Sequence, residues 1–233
     1  MICGLALAAM TFSACSDLLD KEPLNNIDSR EFFANAEELE LYANGLYVDM
    51  IPSAEDLTSS GSGTCDYLAT STTSSLLQKD FDVDKMSGWT YGAWTNLFRC
   101  NYFLENIAKA SGSADAATLN HYRGIARFWR AWFYFDKVKT YGNVPWYSHT
   151  IDAADSVQLY KTRDDRELVM DSVLADLNFA AAHLKADKTL PVSAYTALAL
   201  KSRVCLFEGT YRKYHTVNPS TNEPWKETNS SRR

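Results

Sequence analysis

"RFWRAWFYFDKVKTYGNVPWY", residues 127–147, is the stretch that decides the fold. Ile125, Phe128, Trp132 and Phe135, followed by Val138 or Lys139, recur at three- and four-residue steps and supply one apolar stripe. Arg123, Arg127 and Arg130 form a second stripe at the same spacing. Gly142 and Asn143 then break the helix, and Val144-Pro145 forces extended backbone, because the proline ring disfavours helical geometry at the residue before it. The pattern predicts a helix over residues 116–141 with a sharp turn after it. The rings Trp129, Trp132, Phe133 and Phe135 read as packing, and the three arginines as partners for intramolecular acids, Asp136 among them.

Outward from that helix, the chain reads as helices punctuated by polar loops. Asp28 and Glu31 resemble a capping box, with Phe32, Ala36, Leu39, Ala43, Leu46 and Met50 on one face of the helix that follows. Pro52 ends it. "LTSSGSGTCDYLATSTTSS", residues 57–75, is too polar to pack as a helix and longer than most connectors, which marks a loop that carries function. A second helix is predicted over residues 91–110, with Trp94, Leu97, Asn101, Leu104 and either Ile107 or Ala108 along one side. Two more follow. One covers residues 166–184, with Leu168 or Val169, Ser172 or Val173, Asp176 or Leu177, and Ala180 inward; the other covers residues 193–207 and ends at Gly209. Helix pairs joined by short turns suggest an all-α stack of tetratricopeptide-like pairs with long polar loops, although no 34-residue period aligns two copies.

Composition narrows the function classes. The 233 residues are 46% hydrophobic and 22% charged, enough apolar material for a full core. A net charge of -6 and the lack of any Lys/Arg-rich block argue against nucleic acid as a partner. Aromatic residues make up 13%, more than a minimal core requires, and suit stacking on flat apolar faces. The histidines, His121, His149, His183 and His215, are scattered, and neither a zinc-protease pattern nor a nucleophile elbow occurs. Asp164 and Asp165 sit where a helix start favours negative charge. A pair of catalytic carboxylates assembled across the fold needs no local motif and stays open, but the reading is of a protein that is not an enzyme and takes no cofactor or metal.

Residues 2–12 are nearly all small or apolar, yet far short of the roughly 20 residues that span a bilayer. They fit the apolar region of a signal peptide, although no Lys or Arg precedes Lys21. Ser13 and Ala14 lead to Cys15, and "FSAC" resembles a bacterial lipobox, in which the cysteine thiol is lipidated; the alternative is a signal peptide that happens to end beside a cysteine. Acyl chains at about 0.8 kcal/mol per buried CH2 would anchor the chain without a spanning helix. Cys65, Cys100 and Cys205 are too irregularly spaced for a disulfide framework or a zinc site.

Together, "CSDLLDKEP" (15–23), "WTNLFRCNYFLENI" (94–107), the 127–147 stretch, and "RDDRELVMDSVLADLNFAAAHL" (163–184) leading into "ALALKSRVCLFEGTYRKYH" (197–215) resemble the SusD/RagB family of outer-membrane nutrient-binding lipoproteins of Bacteroidetes. The resemblance implies a helical protein, lipid-anchored on the outer membrane and facing outward. It also implies capture of oligosaccharides, or sometimes peptides, for a SusC-like TonB-dependent transporter barrel. Family members are usually more than twice this length, so the sequence resembles their amino-terminal part. The expected division is a signal peptide over 1–14, a lipidated tether over 15–26, a helical domain over 27–215 and a polar tail over 216–233.

Because the family's ligand residues vary with the glycan, no motif transfers a site. Trp89 and Tyr91, in "KMSGWTYGAW" (85–94), are the leading candidates for stacking on sugar, since rings in a loop have no periodic reason to be buried; local packing is the other reading. Asp66 and Tyr67 in the polar loop are the next candidates. Two competing readings are a helical-repeat scaffold that binds protein or peptide partners, and a fragment without function.

Overall fold

The computed structural model describes residues 32–51 and 89–225. Cys15, Asp66, Tyr67, the Asp28–Glu31 pair and the loop over 57–75 lie outside them. Among the described residues the chain is helical, with no strand and two isolated β-bridges, Val144 to Asp164 and Val217 to Pro224.

Helix α1 is Ala36–Met50. It starts after Phe32, the first residue of its expected apolar face, because Asn35 is its N-cap. The Asn35 side chain accepts from the Glu38 backbone N–H at 2.9 Å, while Glu38 reaches back to accept from the Ala34 N–H at 2.7 Å. These bonds satisfy donors that the first helical turn leaves open. Leu39, Ala43, Leu46 and Met50 are buried as the spacing predicts. Before the cap, Phe33 takes a positive φ of 78°, unfavourable for a bulky residue. Its fully buried ring, centroids 5.1 to 5.9 Å from Tyr42, Tyr102 and Phe103, offsets that cost.

The second predicted helix is three pieces: a 3-10 turn Tyr91–Trp94, helix α2 Thr95–Asn106 and a second 3-10 turn Ile107–Gly112. Its inward face carries Leu97, Cys100, Asn101, Phe103, Ile107 and Ala110. Phe103 takes the place expected of Leu104, which is only half-buried. Burial pushes the Cys100 thiol up to about 12, so it is an inert apolar group at neutral pH.

Helix α3, Ala116–Tyr141, has the predicted bounds. It packs against α1 and α2, and also against α5, Arg166–His183, and α6, Ala194–Tyr214. Contact on several sides explains why its aromatics run beyond a single stripe: Phe128, Trp129, Phe133, Tyr134 and Phe135 are all buried. Gly142 closes the helix at φ 71°, a backbone that side chains with a Cβ adopt only with strain. A single short turn, α4 (Ser156–Leu159), lies in the segment that follows.

On α5 the buried choices are Val169, Val173, Asp176 and Leu177, while Leu168 is exposed. Helix α6 carries a capping box at Ser193 and Thr196 and runs to Tyr214, so Gly209 lies inside it and does not end it. The helix continues past this glycine because its inward face continues: Glu208, 6% exposed, binds Arg166 at 2.6 Å and Arg212 at 2.9 Å. Residues 217–225, within the stretch read as a polar tail, turn back on themselves through the Val217–Pro224 bridge. Buried Asn218 donates to both oxygens of Asp165, the N-cap of α5, at 3.0 Å each.

Candidate ligand-binding site

The site begins with a polar residue on an apolar stripe. Asn101 is 1% exposed, and a buried amide must find partners. Its Nδ2 donates to the carbonyls of Tyr147 and His149 at 3.0 Å each, and its Oδ1 accepts from Arg130 Nη1 at 3.0 Å. Arg130 in turn grips Asp176 of α5 through two bonds of 2.7 and 2.8 Å. The expected arginine–acid pairing therefore exists, but the acid lies on another helix; Asp136 pairs with Lys139. Arg127 stands 3.8 Å from Asp176 and covers the Phe179 ring, and Arg123 donates to Asn120.

The chain Asp176, Arg130, Asn101 ties the segment after the Gly142 turn across α2 as a strap. Further bonds fix the strap. Tyr134 Oη accepts from the Tyr147 N–H at 2.7 Å and donates to the Pro145 carbonyl at 3.3 Å. Burial raises the Tyr134 phenol well above its usual range, which keeps that donor proton in place. Glu105 accepts from Thr150 N–H at 2.7 Å and Thr150 Oγ1 at 2.8 Å. Tyr147 Oη donates to the Gln158 carbonyl at 2.9 Å; burial, then the nearby Asp164 charge, raises its pKa.

Between the strap, α2 and the 3-10 turn lies a cavity of about 370 Å³. This volume falls within the usual span of small-molecule sites, roughly 300–1,000 Å³. Trp89, Trp94, Phe98 and Tyr147 supply rings; Thr95, Asn101, His149, Thr150 and Lys161 supply polar groups. Trp89 is 36% exposed and is braced edge-on by Trp94 at 5.3 Å and by Tyr141 at 4.8 Å. Trp94 meets Phe133 and Tyr147 edge-on at 5.5 and 6.2 Å. Under this cluster the Lys137 ammonium sits 5.2 to 5.7 Å from the rings of Trp94, Phe133 and Tyr141, and burial lowers its pKa.

Of the residues read from sequence as ligand candidates, Trp89 lines this cavity, and Tyr91 begins the 3-10 turn beside it. Asp66 and Tyr67 lie outside the described residues. Sequence reasoning assigned Trp94 to a buried stripe and gave Tyr147 and Lys161 no ligand role. The usable signal was Asn101, whose amide on an apolar face needed partners from elsewhere in the chain. Among the described residues, no three His, Cys, Asp or Glu side chains converge to hold a metal, and no helix is long and apolar enough to cross a membrane.

A family model described as starch-binding, associating with outer membrane, matches residues 33–215. The chain belongs to the SusD-like family. Solved SusD-like structures share its fold. One from Bacteroides fragilis superposes with a TM-score of 0.61 at 23% identity, covering 82% of this chain and 39% of that one. A SusD homolog from Bacteroides thetaiotaomicron gives 0.53 at 23%, covering 75% and 36%. A SusD-like carbohydrate-binding protein from Bacteroides vulgatus gives 0.53 at 15%, covering 85% and 47%. This SusD-like chain thus spans less than half the length of these solved relatives. No curated protein matches it.

Proposed function

We propose that this SusD-like chain is a glycan-binding protein, not an enzyme, and that the cavity beside Trp89 contacts the sugar. The observation that carries the reading is a wall of Trp89, Trp94 and Tyr147 in one cavity with the hydroxyl of Thr95, the imidazole of His149 and the ammonium of Lys161. Sugars present apolar C–H faces and hydroxyl edges, which rings and polar groups complement respectively. The family's description as starch-binding supports this reading, and so does the carbohydrate-binding relative with the same fold. In the same proposal residues 1–14 are a signal peptide, Cys15 carries the lipid, and the protein faces outward from the outer membrane, passing oligosaccharide to a SusC-like TonB-dependent transporter.

Affinity electrophoresis in gels containing single polysaccharides tests the binding claim. A polysaccharide that retards the wild type and not Trp89→Ala is the expected result, with circular dichroism showing both folded. Equal retardation of the two removes the assignment of the site. Incorporation of labelled palmitate into the wild type, and none into Cys15→Ser, is the expected result for the anchor.

A further inference from the structure

We propose that the cavity selects a glycan carrying an anionic group on the ring, a carboxylate or a sulfate ester, over its neutral counterpart. The inference rests on the glycan reading above and adds its charge class. Among the described residues the lining contains one cation, Lys161, and no carboxylate. That is unusual for a chain with a net charge of -6.

The nearby acids are committed elsewhere. Glu105 accepts both bonds from Thr150, Asp152 accepts from the Ala154 N–H, and Asp155 caps the short helix through the Gln158 N–H. Asp164 is shared: one oxygen accepts from the Trp146 N–H at 2.7 Å and from Lys161 Nζ at 2.6 Å. Lys161 spends a second N–H on the Trp146 carbonyl at 3.2 Å, so one of its three donors stays available. Arg163 adds a second cation. Its guanidinium lies 4.5 Å from the centroid of Trp89, the ring that lines the cavity, and it makes no ion pair among the described residues. A sugar stacked beside Trp89 therefore lies near two cations, and among the described residues the one acid paired with either of them, Asp164 on Lys161, is shared with the Trp146 N–H.

The test pairs each charged polysaccharide with a neutral partner of the same backbone: polygalacturonate with its methyl ester, and a sulfated galactan with its desulfated form. Binding of the full chain is measured by affinity electrophoresis and titration calorimetry. At about 50 mM salt the charged member of one pair is expected to bind roughly tenfold more tightly, with most of that preference lost at about 500 mM. Which pair responds decides between carboxylate and sulfate. Lys161→Met and Arg163→Gln are each expected to weaken the charged member about fivefold and the neutral one by less than about twofold. Arg163 is exposed, so its substitution leaves the core intact if Lys161→Met disturbs the strap. Equal affinity within both pairs overturns the inference, as does a preference that survives both substitutions. Retention only by neutral polysaccharides overturns it while the glycan reading stands; retention by none overturns both.

Discussion

Arg130 and Asp176 face each other across α3 and α5 in a bidentate pair of 2.7 and 2.8 Å, with side chains only 7% and 4% exposed. The same guanidinium holds Asn101 and, at 3.3 Å, the Ser148 carbonyl, so one ion pair joins two helices to the strap that walls the cavity. Breaking it from one side leaves a buried charge with no counter-charge. Asp176→Ala is expected to cost about 3–5 kcal/mol in urea unfolding. Arg130→Met with Asp176→Leu removes both charges and is expected to recover at least half of that loss, since a paired buried charge costs nearly as much to desolvate as it returns. The double variant is nonetheless expected to bind ligand poorly, because Asn101 loses the group that orients it. A double variant with wild-type binding would show that the pair serves stability alone.

A milder lesion separates the strap from the core. Glu105 meets Thr150 on the exposed edge, so Glu105→Ala removes two hydrogen bonds without opening a cavity. The expected cost in global stability is about 1 kcal/mol or less. Hydrogen exchange at the Thr150 amide is expected to rise severalfold while amides inside α3 are unchanged. Uniform acceleration across both would show that the strap has no independent stability.

Helix identity was readable because burial repeats along the chain: α3 has the bounds its apolar and arginine stripes require, ended by Gly142. What one sequence could not display was the partner of each polar residue. Arg130 was expected to find an acid, and Asp136 was the nearest candidate along the chain. Asp176 wins because α5 brings it to the buried face of α3, while Asp136 points to solvent. Trp89 stood out as a ring without a periodic reason for burial, and it lies on the cavity. Lys161 had no such mark, because only the strap's path across α2 carries it there. The helix start at Ala36 was missed for a local reason: Asn35, three residues after Phe32 in the apolar pattern, caps the helix by accepting from the Glu38 N–H.

Stability is expected to fall on mild acidification through His121. Its ring is buried, and Nδ1 accepts from the Lys185 N–H at 3.3 Å, a bond that requires the neutral form. Burial, and then the Lys185 charge, lowers its pKa below the ordinary value of 6.5. The unfolded chain therefore takes up the proton first, and the stability from the neutral ring, complete above about pH 6.5, is lost as pH falls towards the folded-state value. Urea midpoints measured between about pH 7.5 and 5.5 are expected to drop for the wild type and to drop less for His121→Gln. The same slope in both would place the acid sensitivity elsewhere.

Two glycines inside helices should respond oppositely to alanine. Gly209 lies within α6, and a methyl group added to its Cα would meet no other atom within 4 Å, so Gly209→Ala is expected to raise stability by about 0.5–1 kcal/mol through helix propensity. Gly124 lies within α3 where α5 ends, and a Cβ there would stand 3.0 Å from Leu184 Cγ and 3.1 Å from its Cδ2. Leu184 is itself buried, so it cannot swing into solvent to make room. Overpacking of about 1–3 kcal/mol exceeds the propensity gain of about 1 kcal/mol, and Gly124→Ala is expected to lose about 1 kcal/mol net. Thermal melts of the two variants beside the wild type decide the matter. A stabilised Gly124→Ala would mean that α3 and α5 approach less closely in solution than the Leu184 contact requires.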